Sequence, residues 1–173
     1  MCEMYRRIIY KAGATREIIN CYPRGMRQGV ERIMLGKKTS EEIQEANRRQ
    51  ARRKLERLIN ANFRPGDWHI TLTYRGKASP SPEAAKKELS NFLERLRNRF
   101  RKYGCVLKYI VATEYVAKHI HHHMIVNNIN TGSETTADMV RKLWTQNGPD
   151  AIRGNPKYVQ LYDTGEYSQL ADY

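Results

Sequence analysis

The sequence is poor in cysteine and has no long hydrophobic run. Its three cysteines, Cys2, Cys21 and Cys105, are an odd number without a close pair, which argues against a disulfide framework and a cysteine-built zinc site. No stretch approaches the roughly 18 apolar residues of a membrane span, and the N-terminal region has no continuous apolar segment typical of a signal peptide. We therefore expect reduced thiols and a cytoplasmic chain.

Acidic residues are also scarce. The chain has 18 Asp and Glu against 31 Lys and Arg in 173 residues, which gives a formal net charge of +13. This excess predicts a polyanionic partner, because Lys and Arg that neutralise phosphates release condensed counterions. Nucleic acid is favoured over a membrane surface, since no amphipathic Trp, Phe and Leu face accompanies the positive charge. A basic surface that only aids solubility is the alternative.

The N-terminal part of the chain contains one clear element. Residues 1–38 show only a strand-like run at 5–10, and we expect a loosely structured segment with at most a short strand. A helix is predicted from a capping box at Thr39 to about Asn62. Six cations in ten residues of this helix favour contact with nucleic-acid phosphates, although a solvated basic face is the alternative; they are Arg48, Arg49, Arg52, Arg53, Lys54 and Arg57.

The remaining sequence alternates between strand and helix patterns. The predicted elements are a strand at 68–74, a helix at 82–103, strands at 106–116 and 120–126, a short helix ending at 144, a strand at 157–162 and a final helical segment. Ser81, Thr135 or Thr136, and Thr164 are the predicted N-caps. Because the strands are joined by hairpin-like spacing, the predicted class is α+β with a mostly antiparallel sheet and flanking helices.

Four of the five histidines lie close together, at positions 119, 121, 122 and 123. In a strand, alternate side chains share a face, so His121 and His123 lie on one side. A two-residue turn at 117–118 would pair Glu114 with His121 on the neighbouring strand. Two imidazoles and a carboxylate suit a divalent ion, and a phosphate substrate favours manganese or magnesium over a closed zinc site. His119 is a further candidate donor, although its place at the turn predicts exposure; packed or surface histidines are the alternative.

These segments resemble a known group of proteins. The run from Tyr109 to Tyr115, followed by the histidines and Met124-Ile125-Val126, resembles the Glu and HUH hairpin of the HUH single-strand endonucleases that initiate rolling-circle replication. Trp68-His69-Ile70-Thr71-Leu72-Thr73-Tyr74 resembles the first strand motif of that family, and 161–173 resembles the approach to its tyrosine motif. The likeness is to initiators of plasmids and mobile elements of Gram-positive bacteria, and it identifies 39–173 as the HUH endonuclease domain.

The resemblance implies a metal-assisted transesterification in a bacterial cytoplasm. A tyrosine would attack single-stranded DNA at a replication origin and form a 5′-phosphotyrosine link, with Mn²⁺ or Mg²⁺ held by His121, His123 and Glu114. The implied nucleophile is Tyr173, with Tyr167 as second choice; the Lys that follows it in the family has no counterpart here. The further candidate DNA contacts on the first strand are Thr71, Thr73 and Tyr74. The oligomeric state is not predicted.

Other functions stay open at this point. A HUH transposase or relaxase would use the same chemistry, and a non-catalytic module could hold nucleic acid with its aromatics and basic helix. His69-Ile70-Thr71 matches the signature of the two-histidine RNA phosphoesterases. That mechanism needs a second His-x-Ser/Thr, which the sequence lacks, so we interpret His69 as a structural histidine or a residue at the edge of the site.

Overall fold

A computed structural model of the chain describes residues 5–21, 39–75, 80–116, 119–145, 152–162 and 164–172. The chain divides into two compact units. The first comprises Met1–Asn62 together with Gly165–Tyr173, and the second comprises Phe63–Thr164. The predicted domain division at residue 39 stays a prediction. None of the helices in the described ranges combines the length and the apolar character that crossing a membrane requires.

The first unit is built from a hairpin and a long helix. Strand β1, Arg6–Ala12, pairs antiparallel with β2, Thr15–Cys21. Helix α1 spans Ser40–Asn62, and a short 3-10 helix spans Ser168–Asp172. The strand-like run at 5–10 lies in β1. The sequence analysis does not predict β2, because its charged and amide residues interrupt the apolar pattern of a strand.

Close backbone packing joins the hairpin turn to the end of α1. Gly13 in the turn has a positive φ of 57°, and a Cβ atom built there would lie 2.0 Å from the carbonyl oxygen of Asn60. Only glycine therefore fits this position. The side chain of Asn60 is buried and accepts a hydrogen bond from the backbone N–H of Tyr167 at 3.0 Å. Asn60 thus links the hairpin and the C-terminal segment of this unit to the helix.

The second unit contains a four-stranded antiparallel sheet with order β4-β5-β3-β6. The elements are β3 (Trp68–Leu72), α2 (Pro82–Lys102), β4 (Tyr109–Val116), β5 (His119–Val126), α3 (Thr136–Trp144) and β6 (Lys157–Gln160). The predicted α+β class with a mostly antiparallel sheet is confirmed. Strands β3, β4 and β6 are each shorter than predicted, because only part of each apolar run has a pairing partner.

One side of this sheet forms the hydrophobic core with α2 and α3. The core residues from the sheet are Ile70, Leu72, Met124 and Val126, and those from the helices include Phe92, Leu96, Phe100, Val140 and Trp144. These strand residues alternate with residues of the other side, as expected for a sheet that is packed on one face. The other side is therefore the one on which polar side chains of the strands can meet a substrate.

Local capping signals position the helices. Thr39 and Glu42 exchange side-chain to backbone hydrogen bonds at the start of α1, and Ser81 Oγ accepts from the N–H of Ala84 at the start of α2. Thr135 forms a capping box at the start of α3. These three predicted N-caps are confirmed. The predicted cap at Thr164 is wrong, because the last helical segment begins only at Ser168 and has too few residues for an α-helical turn pattern.

A buried carboxylate connects α2 with the loop before α3. Only 2% of the Glu134 side chain is exposed. It accepts hydrogen bonds from Arg99, from the hydroxyl of Tyr103 at 2.9 Å and from Lys142 at 3.3 Å. The Arg99 hydrogen bond, followed by those of Tyr103 and Lys142, lowers the pKa of Glu134 to about 2 against the opposing effect of burial. Glu134 is therefore ionised throughout the physiological pH range.

We expect Glu134→Gln to lower the free energy of unfolding by about 2 kcal/mol at pH 7, because charge-assisted hydrogen bonds from three donors are weakened at once. The folded-state pKa lies below the ordinary value of 4.5. The stabilisation from ionised Glu134 is therefore present above that ordinary value and is lost as pH falls towards 2. Urea titrations between pH 7 and pH 2 should show the two proteins converging in acid.

The exposed Glu94 on α2 provides a matched control. Glu94→Gln removes the same charge and should change the free energy of unfolding by less than about 0.5 kcal/mol. Equal losses in both variants, or a Glu134→Gln loss that does not diminish in acid, would contradict a specific stabilising network at Glu134.

Candidate active site

The hairpin of β4 and β5 has the predicted register. Glu114 lies directly opposite His121, and Ala112 lies directly opposite His123. Residues 117 and 118 of the predicted turn lie outside the described residues. Because directly opposed residues of an antiparallel pair share a face, Glu114, His121 and His123 lie on the same side of the sheet. That side is opposite to the hydrophobic core.

We call this side the histidine face and define it by His69, Thr71, Glu114, His121 and His123. His123 Nε2 lies 3.1 Å from Glu114 Oε2, so these two side chains are hydrogen-bonded across the strands. Glu114 keeps 48% of its side-chain surface exposed, whereas His123 keeps 16%. His121 is partly buried. A carboxylate and two imidazoles therefore stand together at an accessible surface.

Strand β3 brings two more polar residues to this face. Thr71 pairs with His123 on one side and with Lys157 of β6 on the other. The ring of His69 stacks on that of His123, with centroids 5.7 Å apart and planes inclined by 26°. Burial, and then the nearby His123, lowers the pKa of His69. Sequence reasoning missed the exposed Lys157; the pairing of β6 with β3, which the sequence does not reveal, brings it here.

The donor types on the histidine face fit a divalent ion, since imidazole nitrogens and a carboxylate oxygen are common ligands of Mn²⁺ and related ions. The described side chains are not arranged as a metal centre, however. Across residues 5–172, apart from the gaps given above, no group of three or more His, Cys, Asp or Glu side chains converges as an ion site. The ligand set His121, His123 and Glu114, with His119 exposed at the start of β5 as a further candidate, stays a prediction.

His122 lies on the opposite side of the sheet, inside the core. Its side chain is fully buried, and its ring nitrogens hydrogen-bond the hydroxyls of Tyr74 and Thr113, each at 3.0 Å. Burial, followed by the charges of the neighbouring histidines, lowers its pKa to about 4. His122 is therefore neutral at pH 7 and holds β4, β5 and the end of β3 together through hydrogen bonds.

The structure separates the predicted DNA contacts of the first strand motif. Thr71 lies on the histidine face. Thr73 lies just beyond β3 and donates its hydroxyl to the carbonyl of Asn155 at 3.3 Å. Tyr74 lies on the core side, where its hydroxyl meets His122 and burial raises its pKa to about 12. Tyr74 is thus placed with the packed side chains and away from the histidine face.

The cations of α1 differ from one another in their surroundings. Arg57 forms a salt bridge with Glu17 at 2.6 Å, and its guanidinium lies 3.6 Å from the centroid of the Tyr10 ring. It anchors the hairpin to the helix. Arg48 pairs with Glu45 at 2.7 Å, and Arg49 lies near the same carboxylate. The other three members of the predicted surface are exposed along the helix, and they are Arg52, Arg53 and Lys54.

The two candidate nucleophiles lie in the first unit. Tyr173 lies outside the described residues. Tyr167 is fully buried, immediately before the 3-10 helix Ser168–Asp172 and not within a helix as predicted. A phenol in this position does not present its hydroxyl to a substrate without rearrangement of the segment.

Comparison with known proteins gives one family. Residues 67–168 match the family model of the replication-associated protein ORF2. The match covers more than half of the chain and includes every strand of the second unit, together with the histidine face. The comparisons with curated proteins and with solved structures find no match.

Proposed function

The chain belongs to the replication-associated protein ORF2 family, and from this membership we propose that it is a metal-dependent endonuclease that nicks single-stranded DNA at a replication origin. The strand would later be rejoined from a 5′-phosphotyrosine intermediate, as in rolling-circle initiation. The observation that carries the proposal is the placement of Glu114, His121 and His123 on one accessible side of the sheet. Family membership supports the replication role, and this placement supports the chemistry.

The histidine face suits an unpaired DNA strand. Thr71 and Lys157 lie next to His123 in the register, and they supply a hydroxyl donor and a cation for phosphate oxygens. The exposed Val159 beside His69 offers an apolar surface to a sugar or base. A strand lying across the sheet could thus be held by its backbone with one phosphate near the histidines.

The metal ligands in this proposal are His121, His123 and Glu114. A bound Mn²⁺ or Mg²⁺ would polarise the scissile phosphate and stabilise charge on its oxygens. Glu114 and His123 already hold each other by a hydrogen bond, which keeps a nitrogen and an oxygen donor side by side. His69 stacks behind His123 and restricts the rotation of its ring. These contacts orient the donors before substrate binds.

The nucleophile in this proposal is the phenol of Tyr173. A tyrosine with a pKa near 10 is only about 0.1% ionised at pH 7, so it must lose its proton as it attacks. The phenolic oxygen forms a bond to phosphorus while the bond from phosphorus to the 3′ oxygen breaks, and the proton released from the phenol balances the new 3′-hydroxyl. The phosphodiester energy stays in the phosphotyrosine link.

The proposal is tested by formation of a covalent adduct. The chain is incubated with a labelled pool of single-stranded oligonucleotides and Mn²⁺, and adducts are resolved on a denaturing gel. We expect an adduct that a chelator abolishes, and Glu114→Ala should slow its formation by about 100-fold, since a lost metal ligand costs several kcal/mol of charge stabilisation.

The exposed Glu94 again serves as a control, because Glu94→Ala removes a carboxylate far from the histidines in sequence and should leave the rate unchanged. A chain that binds the pool without forming any adduct would overturn the enzymatic proposal in favour of a non-catalytic DNA-binding module. An adduct that forms equally well in the presence of chelator would overturn the role of the metal.

A further inference from the structure

The hairpin of the first unit has two different sides. Alternate residues of β1 and β2 are turned towards α1, where Tyr10 and Glu17 contact Arg57 and Ala12 is buried. The residues between them are all exposed. We call this exposed side the outer face, and its members are Tyr5, Arg7, Ile9, Lys11, Arg16, Ile18 and Asn20.

The outer face carries positive charge that the fold does not compensate. Its seven residues include three cations and no Asp or Glu. Lys11 and Arg16 lie directly opposite each other in the register, and within the described ranges neither forms an ion pair. Like charges directly opposed on one face destabilise a strand pair. An anion lying between these two side chains would remove that repulsion.

An aliphatic pair lies between the charged ends of the outer face. Ile9 and Ile18 are directly opposed, and 51% and 58% of their surfaces are exposed. At the other end, Arg7 is held by the amide oxygen of Asn20 at 3.3 Å and by the hydroxyl of Tyr5 at 2.8 Å. Arg7 and Lys11 are four residues apart, about 14 Å along an extended strand.

We propose that the outer face of this hairpin is a binding surface for double-stranded DNA. A two-stranded ribbon fits the major groove, whose width of about 12 Å is close to the separation of the cations. Arg7, Lys11 and Arg16 contact phosphates, while Ile9 and Ile18 lie over base edges, where apolar side chains meet thymine methyl groups. Single-stranded DNA fits less well, because stacking needs a series of aromatic rings and this face has only Tyr5.

The inference rests on the proposed function only in that DNA is the polyanion. It adds a second surface, made from different residues, that would hold the duplex beside a nicking site. Duplex binding and adduct formation are separate measurements. Failure of one therefore does not imply failure of the other.

The test uses the double variant K11Q/R16Q. Affinity for a short labelled mixed-sequence duplex is measured by fluorescence anisotropy over a range of salt concentrations. We expect at least a roughly tenfold loss of affinity at low salt, and the slope of log affinity against log salt should fall by about 2, since each phosphate contact contributes about 0.9. Affinity for a single strand should change much less. The melting temperature should not fall, because the variant removes a like-charge pair.

K86Q/K87Q is the matched control, because it removes two exposed cations from α2 and gives the same net charge. Equal effects of the two variants on duplex affinity would overturn the proposal in favour of a general charge effect. A loss that is as large for single strands as for duplex would overturn the duplex assignment. A loss confined to binding of anionic lipid vesicles would identify a membrane surface as the partner and would also overturn it.

Discussion

Tyr173→Phe is expected to abolish the covalent protein–DNA adduct, whereas Tyr167→Phe is expected to retain it. The hydroxyl lost in the first variant is the atom that would bond to phosphorus, so no other group can replace it in a phosphotyrosine link. Tyr167 is fully buried beside Asn60 at the end of α1 and does not expose its hydroxyl. The measurement is the yield of adduct on a denaturing gel.

The two phenylalanine variants form a matched pair, because each deletes one hydroxyl and keeps the ring. Binding of the single-stranded pool should be unchanged by Tyr173→Phe, which separates loss of chemistry from loss of affinity. The family match ends at residue 168 and so includes Tyr167 but not Tyr173. Loss of the adduct in a well-folded Tyr167→Phe variant would show that the C-terminal segment rearranges and that Tyr167 is the nucleophile.

Local signals made much of the fold predictable. The hydrogen bonds of the caps at Thr39, Ser81 and Thr135 connect residues three apart, so the sequence pattern contains both partners. The register of β4 and β5 was equally accessible, because a short turn and the two-residue period of a strand determine which residues are opposed. The placement of Glu114 opposite His121 follows from these local rules.

Contacts between distant parts of the chain could not be predicted in this way. The order of the strands places Lys157 beside Thr71, although two helices and two strands lie between them in the sequence. The burial of His122 depends on Tyr74, which is 48 residues away in the sequence. The ionised state of Glu134 depends in the same way on Arg99 from α2. Such pairings are set by packing of whole elements, for which a single sequence gives no direct signal.

The histidine run shows how the same residue type acquires different roles. The alternation of side chains places His121 and His123 on one face and His122 on the other, as expected from the strand period. The sequence did not reveal that His122 would become a neutral, hydrogen-bonded core residue. Its partner hydroxyls at Tyr74 and Thr113 explain why the core tolerates an imidazole between Ile120 and Met124.

His123→Ala is expected to slow adduct formation by about 1,000-fold, because the variant removes a proposed metal ligand and also the partner of Glu114 and His69. A loss of about 4 kcal/mol in charge stabilisation corresponds to this factor. His121→Ala should act in the same direction. The rate is measured under single-turnover conditions with saturating oligonucleotide, and the affinity for DNA should change only a few-fold.

His119→Ala is the control that separates catalysis from the general effect of removing a histidine. His119 lies at the start of β5, opposite Val116, and is exposed. Its removal should leave the rate within a few-fold of the original if only His121, His123 and Glu114 hold the ion. Equal losses in the His119 and His123 variants would extend the ligand set to the turn. A His123→Ala variant that forms adduct at the original rate, with the same requirement for Mn²⁺, would place the metal elsewhere and would leave the histidine face as a surface for DNA binding alone.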